Sequence, residues 1–195
     1  TQSRSSAASD VYKRQLFTRP TSDGVYIETD SSVDLAPQVP VNAVVLIDDG
    51  AVRLQVTEVR GSEIVTVVTQ GGTVSSRKSV MIPGITINFN GMSKKDYEDI
   101  LLARELGVDF VAASYVRSDA DILSIRELLS DPRIAVISKI ENEDAVTNFD
   151  RILEVSDAVM VARGDLGLEI KLERVPVLQK QLVSTCNTLG KPVIV

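Results

Sequence analysis

The alternation of apolar and polar residues changes rhythm once along this chain. Between Gly24 and Pro83, short apolar runs are broken by turn residues: GVYIET, AVVLID followed by Asp49-Gly50, AVRLQVTEV followed by Gly61, and EIVTVVT followed by Gly71-Gly72. Asp49-Gly50 between two apolar runs is a hairpin signal, and Val52, Leu54 and Val56 fall on one face of a strand. This spacing predicts a small all-β domain. Closure into a barrel is the expected arrangement, because it hides the strand edges of so short a sheet.

From Ser93 the apolar period lengthens and helices alternate with strands. Ser93 and Asp96 resemble a capping box, Tyr97, Ile100 and Leu101 share a helix face, and Gly107 supplies the stop. The strand VDFVAAS follows. Ser118 and Asp121 repeat the cap ahead of Ile122, Ile125, Leu128 and Leu129, and Asp131-Pro132 closes that helix before the strand IAVIS. A helix face of Val146, Phe149, Ile152 and Leu153 leads to the strand AVMVA. A last face of Leu178, Leu182, Cys186 and Leu189 ends at Gly190 and leads to PVIV. The strands lack period-two alternation, which predicts burial on both faces and therefore a parallel sheet with right-handed crossovers. Doubly wound sheets and (β/α)8 barrels share this local pattern, and both carry their sites at the carboxyl ends of the strands.

Composition narrows the chemistry. The 195 residues carry a net charge of −6, no histidine and one cysteine, Cys186. Without histidine, any reaction must use carboxylates, lysine, arginine, hydroxyls or a hard metal ion. The acidic balance, with no Lys/Arg-rich block, argues against nucleic acid as a partner while leaving room for a local anion site. A lone cysteine forms no internal disulfide and no apolar run reaches membrane-spanning length, so the expected setting is the cytoplasm, with no membrane partner. Residues 1–15, TQSRSSAASDVYKRQ, show no periodicity and are set aside as a non-native or disordered leader. The expected division is then 16–84 as the small β domain and 85–195 as the α/β domain.

The candidate chemistry lies where apolar strands run into polar residues. Ser114 and Arg117 follow the first strand, Lys139 and Glu141 the second, and Arg163, Gly164 and Asp165 the third. Lys139 and Glu141 are two apart, so they point to one side, into the mouth of the sheet. A charge there is costly unless paired or bound. Each motif also has a plain reading: Lys-x-Glu as a salt-bridged pair, Gly164 as a turn, Asp165 as a helix cap, Arg77-Lys78 as a solvated loop, and Cys186 as packing. Taken together, Glu141 and Asp165 match the one or two protein oxygens that hold Mg²⁺, and Lys139 can neutralise a phosphoryl or enolate oxygen. Such a site suits an anionic substrate in phosphoryl transfer or enolate chemistry, and these residues do not choose between the two.

The stretch VISKIENEDAVTNFDRILEVSDAVMVARGDLGLEI strongly resembles the core signature of the pyruvate kinase family. The similarity continues through VLQKQLVSTCNTLGKPVIV and extends back through GVDFVAASYVRSDADILSIRELL, SKKDYEDILLARELG, IPG and VLIDDG, so that it covers about Gly24 to Val195. The resemblance implies an α/β fold: part of a (β/α)8 TIM barrel with a small all-β barrel inserted as a lid. The implied activity is phosphoryl transfer from phosphoenolpyruvate to ADP, giving pyruvate and ATP. By position, Lys139 corresponds to the catalytic lysine on the transferring phosphoryl group, and Glu141 and Asp165 to the Mg²⁺ ligands. Gly164 and Asp165 correspond to positions whose backbone amides face the substrate carboxylate, and Lys78 to a lid lysine that reaches the nucleotide phosphates. Asp48-Asp49-Gly50 matches a lid turn that faces the cleft.

The departures are as specific. No counterpart of the family's first barrel strands, with their arginine and K⁺ ligands, precedes Gly24, and the chain stops at KPVIV, before a substrate-site threonine. The chain therefore reads as an internal fragment, expected to be inactive alone, of an enzyme that is a homotetramer at full length. Around INFNGMSKKD the usual proline-containing linker is replaced. Two other readings stand beside the kinase: a Mg-dependent aldolase acting on pyruvate, and a catalytically silent binding domain.

Overall fold

Two sheets of opposite character, each with its own core, account for most of the described residues. The structure, a computed structural model, describes residues 16–21, 24–29, 35–74, 78–85 and 92–195. The expectations placed on residues 1–15, on Arg77 and on the INFNG junction lie outside these residues.

Strands β1 (Leu16–Thr21) and β2 (Gly24–Thr29) pair antiparallel as a two-stranded ladder of their own. The second sheet contains β3 (Val44–Ile47), β4 (Val52–Arg60), β5 (Glu63–Gln70) and β6 (Val80–Met81), in the antiparallel order β5-β4-β3-β6. Val52, Leu54 and Val56 point inward as their alternation requires, and join Val39, Val45, Ile47 and Ile82 in one apolar cluster. The connection between β3 and β4 is longer than a two-residue hairpin. Asp48, Asp49 and Gly50 all adopt left-handed backbone, with φ of 51°, 53° and 85°, and the Ala51 amide closes back on the Asp48 carbonyl at 3.0 Å. Aspartate is among the few L-residues that visit this region readily, which is why the run reads Asp-Asp-Gly.

The barrel closure expected for this sheet is not what the described residues form: β5 and β6 are edges of an open sheet. The physical reason is visible in both strands. Pairing of β4 with β5 is interrupted by register shifts at Arg53/Leu54 and Val56/Glu58, most side chains of β5 are exposed, and β6 is only two residues long.

The larger unit is a four-stranded parallel sheet in sequential order: β7 (Phe110–Ala113), β8 (Ala135–Ile140), β9 (Ala158–Val161) and β10 (Val193–Ile194). Helices α1 (Lys94–Leu106), α2 (Asp119–Leu129), α3 (Glu143–Thr147), α4 (Phe149–Val155), α5 (Arg163–Glu169) and α6 (Val175–Thr188) precede or connect the strands. Their termini follow local rules. Ser93 and Asp96 form the reciprocal capping box, and Gly107 ends α1 in left-handed backbone, φ 60°. At α2 Ser118 and Asp121 form the second capping box, and the Asp121 carboxylate accepts from the Arg117 and Ser118 amides at 2.8 and 2.9 Å. Tyr97, expected on the buried face of α1, is 47% exposed; Ile100 alone of that set is fully buried.

Burial on both faces is met in β9, where the consecutive Ala158 and Val159 are both buried, but not in β8. Along β8, Val136, Ser138 and Ile140 are inaccessible, while Ala135, Ile137 and Lys139 are half-buried. The inaccessible face packs on Ile122, Leu129, Ile152 and Leu153 from the helices. Each such side chain contributes about 1.5–3 kcal/mol by burial. Among the described residues the helices cover one face of this sheet, and the continuous apolar character of β8 is half used.

Candidate active site

Strand register places the candidate residues on one rim. Ala113 of β7 lies beside Ser138 of β8, and Lys139 and Ile140 lie beside Met160 and Val161 of β9. Ser114 and Tyr115, Lys139 and Glu141, and Arg163 to Asp165 therefore leave three adjacent strands at the same end. The Ala162 amide donates to the Ile140 carbonyl at 3.2 Å and carries the pairing to the edge of the rim.

There Lys139 Nζ lies 2.5 Å from Glu141 Oε1 and donates to Ser114 Oγ at 2.9 Å. The pair is shielded, its side chains 16% and 5% exposed. The other Glu141 oxygen accepts the backbone N–H of Tyr115 at 2.5 Å. Tyr115 is itself unusual, a bulky residue in left-handed backbone with φ 56°, and its hydroxyl donates to Glu169 Oε1 at 2.8 Å. Asn142 completes the scaffold. Its side chain caps α3 through the Ala145 amide at 2.8 Å and donates to the Val116 carbonyl at 3.0 Å, which ties the β7 and β8 exits together.

Burial is the strongest influence on the Glu141 carboxyl and lifts its pKa; the Lys139 ammonium and the Tyr115 amide oppose the rise, and the Asp165 carboxylate adds to it. Asp165 is therefore close enough to repel Glu141. Burial, then the negative charge of Glu169, raises the Tyr115 phenol, so the hydroxyl keeps its proton and is the donor of the pair. Glu169 is raised chiefly by burial, against the Tyr115 hydrogen bond and with added repulsion from Asp144 and Glu143.

Of the residues singled out from the sequence, Lys139 and Glu141 meet directly and Asp165 joins them by charge. Gly164 and Asp165 lie in the first turn of α5, where backbone amides lack helical partners; this replaces the turn-and-cap reading of RGDLG. A methyl at Gly164 would meet no atom within 4 Å, so the glycine is not required by packing inside this chain. Lys78 belongs to a different contact, a 3.0 Å pair with Asp48 in the β3–β4 turn. A carbon placed on Gly50 of that turn would lie 3.7 Å from Leu168 of α5, so the turn rests against the helix that carries Asp165. Cys186 is packing, fully buried on α6. Arg117 donates its amide to Asp121, and Arg163 lines a wide-open depression of about 630 Å³ with Met160, Leu172, Val175 and Ile194.

Tyr115, Asn142 and Glu169 were not foreseen. Asn142 had a signal, a cap residue ahead of Glu-Asp-Ala. Tyr115 and Glu169 are 54 positions apart, and only folding makes them partners.

A hard cation fits this donor set. Two carboxylates repel one another here, and each oxygen of Glu141 retains a lone pair beyond those engaged by Lys139 and Tyr115. Among the described residues no cluster of three or more His, Cys, Asp or Glu forms, so the two can supply only part of a coordination shell. That suits Mg²⁺, which keeps water and substrate oxygens, better than a fully protein-caged metal. No helix among the described residues is long and apolar enough to cross a membrane.

Comparison with known proteins spans the stretch that holds these residues. The family model for "Pyruvate kinase, barrel domain" matches residues 10–195, further upstream than Gly24. The chain is 51% identical over 165 residues to pyruvate kinase of Bacillus licheniformis, and 50% identical over 165 residues to that of Geobacillus stearothermophilus; each alignment covers 82% of this chain and 28% of the relative. Identity to the Clostridium acetobutylicum enzyme is 42% over 164 residues, 83% of this chain and 35% of that one. The chain thus spans about a third or less of the length of these relatives. A parallel sheet whose strand ends gather a lysine and two carboxylates, inside a match that runs through every one of those positions, leaves one assignment: the chain belongs to the pyruvate kinase family.

Proposed function

We propose that this chain carries the phosphoryl-transfer centre of a pyruvate kinase, which moves the phosphoryl group of phosphoenolpyruvate to ADP and yields pyruvate and ATP. The observation that carries the reading is the shielded Lys139–Glu141 pair at the rim, within the field of Asp165. An oxygen of the ADP β-phosphate attacks phosphorus, the bond from phosphorus to the enol oxygen breaks, and the enolate takes up a proton at its methylene carbon. In this reading the Lys139 ammonium stabilises the negative charge of the transferring group. It acts in a site where shielding from water strengthens that attraction.

Glu141 and Asp165 would hold Mg²⁺, which when bound neutralises phosphoryl oxygens and orients them for in-line transfer. The backbone amides of Gly164 and Asp165 face the substrate carboxylate. Lys78 reaches the nucleotide phosphates from the β3–β6 sheet, which acts as a lid, and the closeness of the Gly50 turn to Leu168 of α5 supports that reading. The parallel sheet forms part of a (β/α)8 barrel, and K⁺ serves the reaction beside Mg²⁺. By the same resemblance the full-length enzyme is a cytoplasmic homotetramer. The 195 residues, which span about a third or less of the length of these relatives, are expected to show no turnover alone.

The test is equilibrium Mn²⁺ binding to the purified chain, with and without phosphoenolpyruvate, beside a coupled assay containing ADP, Mg²⁺ and K⁺. Mn²⁺ binds, phosphoenolpyruvate strengthens it, Glu141→Gln abolishes it, and no turnover is seen. Mn²⁺ affinity indifferent to phosphoenolpyruvate would refute the assigned site. Robust turnover would refute only the insufficiency of this chain. Protection of Lys78 from chemical modification by nucleotide separates a kinase from an aldolase acting on pyruvate.

A further inference from the structure

The exits of β7 and β8 and the helix α5 carry different parts of the rim, and one residue touches all three. Tyr115 leaves β7. Its backbone N–H is given to Glu141 after β8, and its hydroxyl is given to Glu169 at the last turn of α5, one and a bit helical turns from Asp165. A tyrosine gains nothing locally from left-handed backbone, where a bulky side chain is strained. The strain is held from both ends: relaxing φ from 56° would swing the amide away from Glu141 or pull the hydroxyl from Glu169. Tyr115 and Glu169 are each half-buried, so the connection is partly shielded from water.

We propose that Tyr115 is a positioning residue, a latch through which Glu169 sets both the orientation of the Glu141 carboxylate and the distance of α5 from it. This rests on reading Glu141 and Asp165 as the metal-holding pair. The hydroxyl–carboxylate bond anchors the ring, the anchored ring keeps the backbone left-handed, and the left-handed backbone aims its N–H at Glu141. The same bond tethers the far end of the short helix that begins with Arg163 and Gly164. Outer partners of metal-holding carboxylates typically alter metal affinity by 10–100-fold when lost. The latch therefore sits outside the chemistry but controls the geometry in which two carboxylates can share one cation.

Two measurements on the whole chain test it. In amide hydrogen exchange, the Tyr115 N–H is protected in the parent, and Tyr115→Phe, which keeps the ring, and Glu169→Ala each raise its exchange rate roughly tenfold. Glu169→Gln keeps an acceptor for the hydroxyl and restores the parent rate. In Mn²⁺ titration followed by electron paramagnetic resonance, Tyr115→Phe and Glu169→Ala each weaken affinity by roughly tenfold, and the double variant by no more than either alone. Unchanged exchange in Tyr115→Phe, or losses that multiply in the double variant, would overturn the latch. A parent chain that shows the exchange pattern but binds no Mn²⁺ would overturn the metal assignment and the latch's role toward it, while the exchange result still stands as the record of the coupling itself.

Discussion

Lys78 Nζ sits 3.0 Å from Asp48 Oδ1, which ties the lysine to a turn whose Asp48 and Asp49 are both in left-handed backbone. Ser79 reinforces the turn: its carbonyl accepts the Asp48 amide at 3.0 Å, and its hydroxyl donates to Asp49 Oδ1 at 2.8 Å. A lysine that is to reach nucleotide phosphates must leave Asp48. Both side chains are about a third exposed, so the pair is worth under about 1 kcal/mol. Asp48→Asn removes the charge and keeps a residue tolerant of the left-handed region. Its expected effect is a roughly threefold gain in ADP affinity by titration calorimetry, with stability changed by less than about 0.5 kcal/mol. An unchanged affinity would show that Asp48 does not compete for Lys78.

Gly164 separates folding from binding. Among the described residues a methyl there meets no atom within 4 Å beyond its own helical turn, and alanine is a better helix former than glycine. Gly164→Ala is expected to leave the melting temperature unchanged or slightly raised. It is also expected to weaken phosphoenolpyruvate-dependent Mn²⁺ binding by about tenfold, because the methyl occupies space beside the amides of the first helical turn. Loss of stability instead would place the constraint inside the chain.

Two carboxylates should give opposite pH responses. Glu141 is raised, chiefly by burial, so the folded state prefers it protonated. Its contribution is fully present below the unfolded carboxyl pKa of about 4.3 and is lost as pH rises through the folded value. Metal reverses this, since only the carboxylate binds a cation: the Mn²⁺-induced rise in melting temperature should grow as pH rises through the raised folded value and vanish in Glu141→Gln.

Asp157 is the contrary case. Burial is the largest single influence and pushes it up, but the Val136 amide at 2.7 Å, Arg126 at 2.6 Å and the charge of Lys191 together bring it below the usual range. Its contribution is present above an unfolded pKa of about 3.9 and is lost as pH falls through the lower folded value. The side chain is 45% exposed, so solvent screening limits Asp157→Ala to roughly 1 kcal/mol at pH 7. Urea denaturation at pH 7 and pH 3 should show that difference shrinking at the lower pH.

Ser138 and Ser156 form a buried hydroxyl pair at 2.6 Å, and Ser156 also donates to the Ile152 carbonyl at 2.6 Å. Ser156 has one proton, so Ser138 is the donor between them. Ser156→Ala strands that donor and should cost about 1–3 kcal/mol in urea denaturation, whereas the Ser138→Ala/Ser156→Ala double variant should cost less than the sum. Additive losses would mean that the two hydroxyls act independently.

Much of this molecule could be read along the chain because the interactions that define it are short in range. The capping box at Ser93, the stop at Gly107, the inward Val52-Leu54-Val56 face and the i, i+2 placement of Lys139 and Glu141 all involve residues within a few positions of one another. A turn or a strand pleat enforces them wherever the rest of the fold lies.

What local order could not reveal was set by partners far away in the chain. Tyr115 and Glu169, Lys78 and Asp48, and Ser138 and Ser156 meet across 54, 30 and 18 positions, and no local periodicity encodes such pairs. The same holds for the sheets. Apolar runs state that a strand has surface to bury, but whether an edge closes or a second face is covered depends on which other segments arrive there. The open β5–β6 edges and the half-used face of β8 are products of assembly, because burial is a property of surfaces brought together.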